Sequence, residues 1–214
     1  MSASKRSTSL FFSEIMKGYV SLGETDVLTG YRKALMAGDF IETILNITAE
    51  DLKRFLDEPD HSALPAGTIK CPVMGGDLDI EGGVFQLFVA TDNAYVKRLN
   101  YQLYVTGSQG PITISGFKTL TDNPTAGIWF DTSTLWTRIF AGHISVAESA
   151  TATPIGAGII NLYKFDFLKV VLSFRVRGGG LFAPLIGALR FLKFFFGTII
   201  RAWFSKFFGR KIVH

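Results

Sequence analysis

The stretch VKRLNYQLYVTGSQGPITISGFKTL, residues Val96–Leu120, decides the fold class. Leu99, Tyr101, Leu103 and Val105 alternate with polar neighbours, which is the period of a half-buried strand. Ser108-Gln109-Gly110-Pro111 breaks the run with turn residues, and Ile112, Ile114 and Phe117 resume it. Two such runs around a short turn read as an antiparallel hairpin.

The same rhythm recurs on both sides. Upstream, Gly83–Thr91 reads as a buried strand with Val84, Phe85, Leu87, Phe88 and Val89. Gly67–Met74 reads as a strand ending at Gly75-Gly76, with Leu78-Asp79-Ile80 pairing back across that turn. Asp39–Ile47 alternates clearly, and Leu10–Leu22 does so loosely before Gly23. Downstream, Trp129–Phe140 is strand-like, and Ala157–Val176 starts as a strand and continues as a strand or a short helix. One short helix, Leu52–Leu56, is expected after Thr48 as N-cap with Glu50 and Asp51 in its first turn, and Asp57-Glu58-Pro59-Asp60 ends it. There is no βαβ rhythm and no glycine-rich phosphate loop. The expected architecture over residues 1–177 is mainly β, an antiparallel β-barrel (or sandwich) with a short inserted helix. Closure is favoured because sheet edges need cover and the chain offers few helices to supply it. Barrels of this size can hold one small apolar ligand.

The chain has 214 residues, enough for a substantial core, and 48% of them are hydrophobic. Phe occurs 20 times and Cys once, as Cys71. A single cysteine excludes an internal disulfide framework and a cysteine-based zinc centre, and the three histidines lie far apart. No metal and no cofactor is therefore expected. The net charge of +4 hides a division: residues 1–150 carry 12 basic against 17 acidic side chains, and residues 151–214 carry 10 against one, Asp166. From Lys169 to His214 there is no acid at all. A basic segment of this kind meets an anionic partner.

The second unit, residues 178–214, decides which partner. After the glycine joint Gly178–Gly180 it reads LFAPLIGALRFLKFFFGTIIRAWFSKFFGRK through Lys211. A nucleic-acid arm stays polar between its basic residues; this one is filled with Phe, Leu and Ile, so no nucleic acid is expected. Nor is a simple membrane span, because Arg190 and Lys193 interrupt the run and would cost about 2.5–3.5 kcal/mol each near mid-bilayer. With Pro184 in its first turn, a helix is the natural reading. On a helical projection Gly187, Arg190, Lys193, Gly197, Thr198, Arg201 and Ser205 share one side and the apolar residues cover most of the rest. That describes a C-terminal amphipathic helix lying in a membrane interface, with basic groups at headgroup level. The residues expected to meet an anionic membrane surface are Arg190, Phe191, Lys193, Phe195, Phe196, Arg201, Trp203, Lys206, Arg210 and Lys211. The competing readings are that the helix covers the mouth of its own barrel, or that it binds a protein partner. Lys5 and Arg6 are followed only by Leu10-Phe11-Phe12 before Ser13-Glu14, so no signal peptide is expected and an intracellular, membrane-peripheral protein is.

Several runs resemble a known domain: Phe12–Asp26, Gly82–Phe88, Leu99–Leu103, Ile114–Lys118 and Trp129–Arg138. Together they are similar to a domain appended to bacterial oxidoreductases of the glucose-methanol-choline type that look like cholesterol oxidases, and to some hydrolases. The similarity spans most of the chain, but no dinucleotide fingerprint accompanies it. The resemblance implies a lipid or sterol setting without flavin chemistry, and it brings no catalytic residues with it.

The residues themselves offer one polar cluster, Asp131–Arg138 with His143. Asp131 and His143 could form an acid–base pair, and Arg138 could hold a carboxylate or phosphate headgroup. The plainer reading makes Asp131 a turn cap, pairs Arg138 with an acid such as Glu14, and leaves His143 in a turn after Gly142. Catalytic candidates are thus Asp131, Arg138, His143 and Glu14, all weakly supported. Glu24 and Asp26 read as a loop, and Cys71 as a small buried residue. The leading expectation is a membrane-associated barrel that binds a lipid- or sterol-type ligand. The alternatives are a cofactor-free cyclase or isomerase on a polyketide, terpenoid or lipid, and an accessory subunit of a membrane complex.

Overall fold

The computed structural model describes residues 7–93, 96–121 and 133–208; of 121 and 199–208 it describes the backbone only. The strands are β1 (Ser9–Leu22), β2 (Phe40–Ala49), β3 (Ser62–Cys71), β4 (Gly76–Asp79), β5 (Gly82–Ala90), β6 (Val96–Gly107), β7 (Gly110–Thr121), β8 (Thr134–Ala141), β9 (Gly156–Asn161) and β10 (Arg175–Arg177). Pairing is antiparallel throughout. Eight strands run in the order β1-β2-β3-β5-β6-β7-β8-β9, and β9 pairs back onto β1, so the sheet closes into a barrel. β4 folds onto β3, and β10 adds to the start of β1. The Val96–Leu120 hairpin is as expected, with Gly107 opposite Gly110 and Ser108-Gln109 at the tip.

Alternation sorts the strands into an inside and an outside. Leu10, Phe12, Glu14, Met16 and Val20 of β1 are buried, as are Tyr101, Leu103 and Val105 of β6. Ile112, Ile114, Lys118 and Leu120 do the same for β7. One half of the barrel is filled by aliphatic side chains, among them Met16, Val20, Ile41, Leu45, Ile69 and Val105, none of them exposed. The other half is roofed by helices.

Those helices depart from the sequence reading in instructive ways. Residues 27–37, given no element by periodicity, form α1 (Val27–Ala37). The Asp26 carboxylate caps it by accepting from the Thr29 N–H at 2.8 Å, and Gly38 ends it in the left-handed conformation. The short inserted helix, α2 (Leu52–Asp57), is present, but its cap is Asp51, which accepts from the Arg54 N–H at 3.0 Å. Thr48 instead belongs to β2. β3 begins earlier than expected and stops at Cys71, where Pro72 fixes φ and opens a 3-10 turn. A single turn, α3 (Val146–Ser149), follows β8. The segment after β9 is a helix, α4 (Lys164–Ser173), and then the short strand β10. The last element is α5 (Ala183–Phe208), with Pro184 in its first turn as anticipated.

Closure of the barrel depends on close backbone approach. A methyl group on Gly158 of β9 would fall 2.1 Å from the Tyr19 carbonyl oxygen of β1. One on Gly30 of α1 would fall 2.3 Å from the Ala157 carbonyl oxygen. Glycine is required at both positions because backbone, not a yielding side chain, occupies the space. Gly158→Ala is expected to lower unfolding stability by roughly 1–3 kcal/mol or more, read as a lower urea midpoint with an unchanged slope.

Candidate functional site

An apolar cavity of about 190 Å³ lies between the packed half of the barrel and the roof. Its walls come from Phe12 of β1, Phe85, Leu87 and Phe88 of β5, and Leu99 of β6. Its ceiling comes from Phe167, Val170 and Phe174 around α4 and from Phe191 and Phe195 of α5. A bulge in β5 between Gln86 and Val89 turns both Leu87 and Phe88 inward, and Phe88 takes a φ of 55° to do so. A bulky residue in the left-handed region is strained. Here the bulge aims an extra aromatic ring into the mouth, where Phe88 lies 5.7 Å from both Phe194 and Phe195.

Three polar residues line this cavity, and all three interact. Glu14 crosses the barrel from β1 to form an ion pair with Lys118 of β7. The Tyr101 hydroxyl of β6 donates to the second Glu14 oxygen at 2.8 Å. Lys118 also sits over the Tyr101 ring, 5.0 Å from its centroid. Glu14 is 4% exposed, Tyr101 2% and Lys118 1%. Burial, and then the adjacent Glu14 carboxylate, hold the Tyr101 phenol well above its ordinary pKa, so it stays a neutral donor. The filled residues Met16 and Leu103 lie one inward position further along β1 and β6. The triad therefore forms the floor of the cavity.

Among the described candidates Glu14 is the one placed inside the barrel, but its partner is Lys118 and not Arg138. Arg138 points outward from β8 and is exposed, opposite Ser115 of β7. His143 sits at the far end of the barrel, where its Nε2 lies 3.1 Å from the Val105 carbonyl oxygen and its ring stacks on Tyr104. Asp131 lies outside the described residues. Among the described residues, Arg138 and His143 are therefore not brought together with Glu14. Lys118 was missed, although its signal was present: it shares the parity of Ile112 and Ile114, and Glu14 shares that of Phe12 and Met16. A lysine on the inner face of a closed barrel requires an inward carboxylate.

Of the residues expected at a membrane, Phe191 and Phe195 are turned inward, 1% and 8% exposed. Phe191 packs on Phe174 at 4.8 Å and Phe55 of α2 at 6.4 Å. Gly187, placed on the polar stripe by helical projection, is buried against Leu52 of α2 and Val176 of β10. Arg190, Lys193 and Phe196 face outward. The side chains of Arg201, Trp203 and Lys206, and Arg210 and Lys211 entirely, lie outside what is described. The outward faces of the roof are unusually apolar. Phe165, Leu168 and Leu172 of α4 are exposed, as are Leu181, Phe182, Leu185, Ile186 and Leu189 in and before α5.

Among the described residues no group of His, Cys, Asp and Glu could hold a metal ion, and no helix is long and apolar enough to cross a membrane. Comparison with protein-family models, with curated proteins and with solved structures returns no match.

Breaking the buried pair from one side strands a charge. Glu14→Ala is expected to cost about 3–5 kcal/mol in unfolding free energy, and Glu14→Gln with Lys118→Met much less, measured by chemical denaturation. Cys71 lies in the filled half of the barrel, and burial pushes its thiol up to about 11. It should stay unreactive toward a thiol reagent at pH 8 until the protein is unfolded.

Proposed function

We propose that this protein is a membrane-peripheral barrel that takes an apolar, lipid- or sterol-type small molecule into its roofed half and docks on anionic membranes by the outer face of that roof. The observation that carries the reading is the two-sided character of α4 and α5. Their inner residues, Val170, Phe191 and Phe195, are buried at the cavity. Their outer residues include Phe165 at 83% exposure, Leu185 at 62% and Leu189 at 60%. Single exposed apolar residues are ordinary, but a run of them at helical spacing marks a surface for a partner. Lys164, Lys169, Arg175, Arg177, Arg190 and Lys193 accompany it, and Asp166 is the one acid of residues 151–214. Apolar insertion together with basic headgroup contact is the physics of interfacial binding. The resemblance to the domain appended to cholesterol-oxidase-like proteins points the same way.

A second reading, a cofactor-free cyclase or isomerase, is favoured by one observation. Glu14, Lys118 and Tyr101 converge on a largely apolar space, which is a setting for acid–base chemistry. It predicts that a bound molecule is recovered with a changed retention time after incubation; the binding reading predicts recovery unchanged.

Docking is tested by flotation of the full chain with neutral and anionic vesicles at two salt concentrations. The wild type should float with anionic vesicles, less so at high salt. Leu185→Glu with Leu189→Glu should abolish flotation without lowering the melting temperature, because both side chains are more than half exposed. Equal flotation of wild type and variant would refute docking by this face.

A further inference from the structure

We infer that the cavity selects a neutral amphiphile, an alcohol, ketone or ester, and binds its oxygen-bearing end at Lys118. This rests on the reading of the barrel as a ligand-binding protein and adds the chemical class of the ligand.

The first ground is where the polarity lies. The cavity is lined by phenyl rings and aliphatic side chains, and its three polar residues share one floor. A ligand's apolar body faces Phe12, Phe85 and the roof, and its end reaches Glu14, Tyr101 and Lys118. Pockets of this composition use their few polar groups to fix orientation.

The second ground is donor and acceptor arithmetic. Tyr101 has one O–H, which it gives to Glu14. Glu14 accepts from both Tyr101 and Lys118. An ammonium has three N–H donors, and the Glu14 carboxylate takes one of them. Lys118 is therefore the group on the floor able to donate to an incoming molecule, and a ligand that uses it brings an acceptor oxygen. A hydrocarbon would bury the ammonium against carbon and gain nothing from it.

The third ground is charge. Glu14 and Lys118 neutralise each other. A carboxylate ligand would add an unpaired negative charge to an apolar enclosure, and an amine an unpaired positive one. Either is disfavoured by desolvation. Neutral oxygen groups escape that penalty. Size sets the last bound. A cavity of about 150 Å³ lined by Leu, Ile and Phe admits benzene, so about 190 Å³ admits one ring, or the chain end, of a larger lipid- or sterol-type molecule.

The test is displacement of an environment-sensitive apolar dye from the full chain by four probes sharing one skeleton: butylcyclohexane, 4-cyclohexyl-2-butanol, 4-cyclohexyl-2-butanone and 4-cyclohexylbutanoate. The alcohol and the ketone should displace the dye at concentrations at least fivefold lower than the hydrocarbon, and the carboxylate should gain no such advantage. In the triple variant Glu14→Met, Tyr101→Phe and Lys118→Met, which leaves no donor on the floor, the preference for oxygen should vanish. If the hydrocarbon or the carboxylate matches the ketone on the wild type, the inference is wrong while the barrel remains a ligand binder. If the triple variant keeps the preference, the floor is not the recognising group and the inference falls. If neither dye nor probe binds the wild type, the ligand-binding reading itself fails. The wild-type series decides the matter even should the triple variant not fold.

Discussion

A carboxylate on β1 reaches across the barrel to an ammonium on β7, and the interior is organised around that bridge. On one side of it the barrel is packed with aliphatic side chains. On the other the walls are aromatic and space remains. Burying two charges is costly unless each has its partner and its hydrogen bonds. The Tyr101 hydroxyl supplies the additional bond and its ring shields the ammonium. A merely structural bridge could be replaced by hydrocarbon at little cost. This one opens onto a cavity.

The roof follows from the same division. Half a barrel without its own filling must be covered, and α2, α4 and α5 bring Phe55, Phe167, Phe174, Phe191 and Phe195 to it. The abundance of Phe thus has a cause inside the molecule. It does not account for the outer faces. Among the described residues Leu168, Leu172, Leu185 and Leu189 find no cover and are more than half exposed. A helix apolar on both sides is stable in water only if its second side also finds cover. A bilayer surface, the partner proposed above, would supply that cover and match the basic residues beside it.

How far this was legible in the sequence depends on what kind of information each element carries. The Val96–Leu120 hairpin was plain because strand alternation and turn residues agree over its whole length. Helix α1 was not, because its buried residues are Gly30 and Ala34, which make no apolar stripe. At Gly30 its contact is backbone against backbone, beside a Tyr31–Tyr19 ring contact, and only Asp26 and Gly38 mark its ends. The Glu14–Lys118 pair joins residues 104 positions apart. Strand parity names both as inward, but only closure of the barrel brings them together. The projection of α5 identified a wide apolar surface correctly in kind, yet periodicity cannot tell which part of such a surface meets the barrel. Packing against Leu52 and Val176 settles that for Gly187, and the aromatic contacts settle it for Phe191 and Phe195.

The central claim is that the roof keeps its inner face on the barrel while its outer face enters a membrane. Spin labels placed singly at Ile186 and at Leu64 test it most directly, since both sites are about half exposed and buried Cys71 will not compete for the label. On anionic vesicles the label at Ile186 should become more accessible to oxygen and less accessible to a water-soluble relaxing agent, while the label at Leu64 on β3 stays unchanged. A label at Ile186 that remains as accessible to the aqueous agent with vesicles as without them would contradict the account.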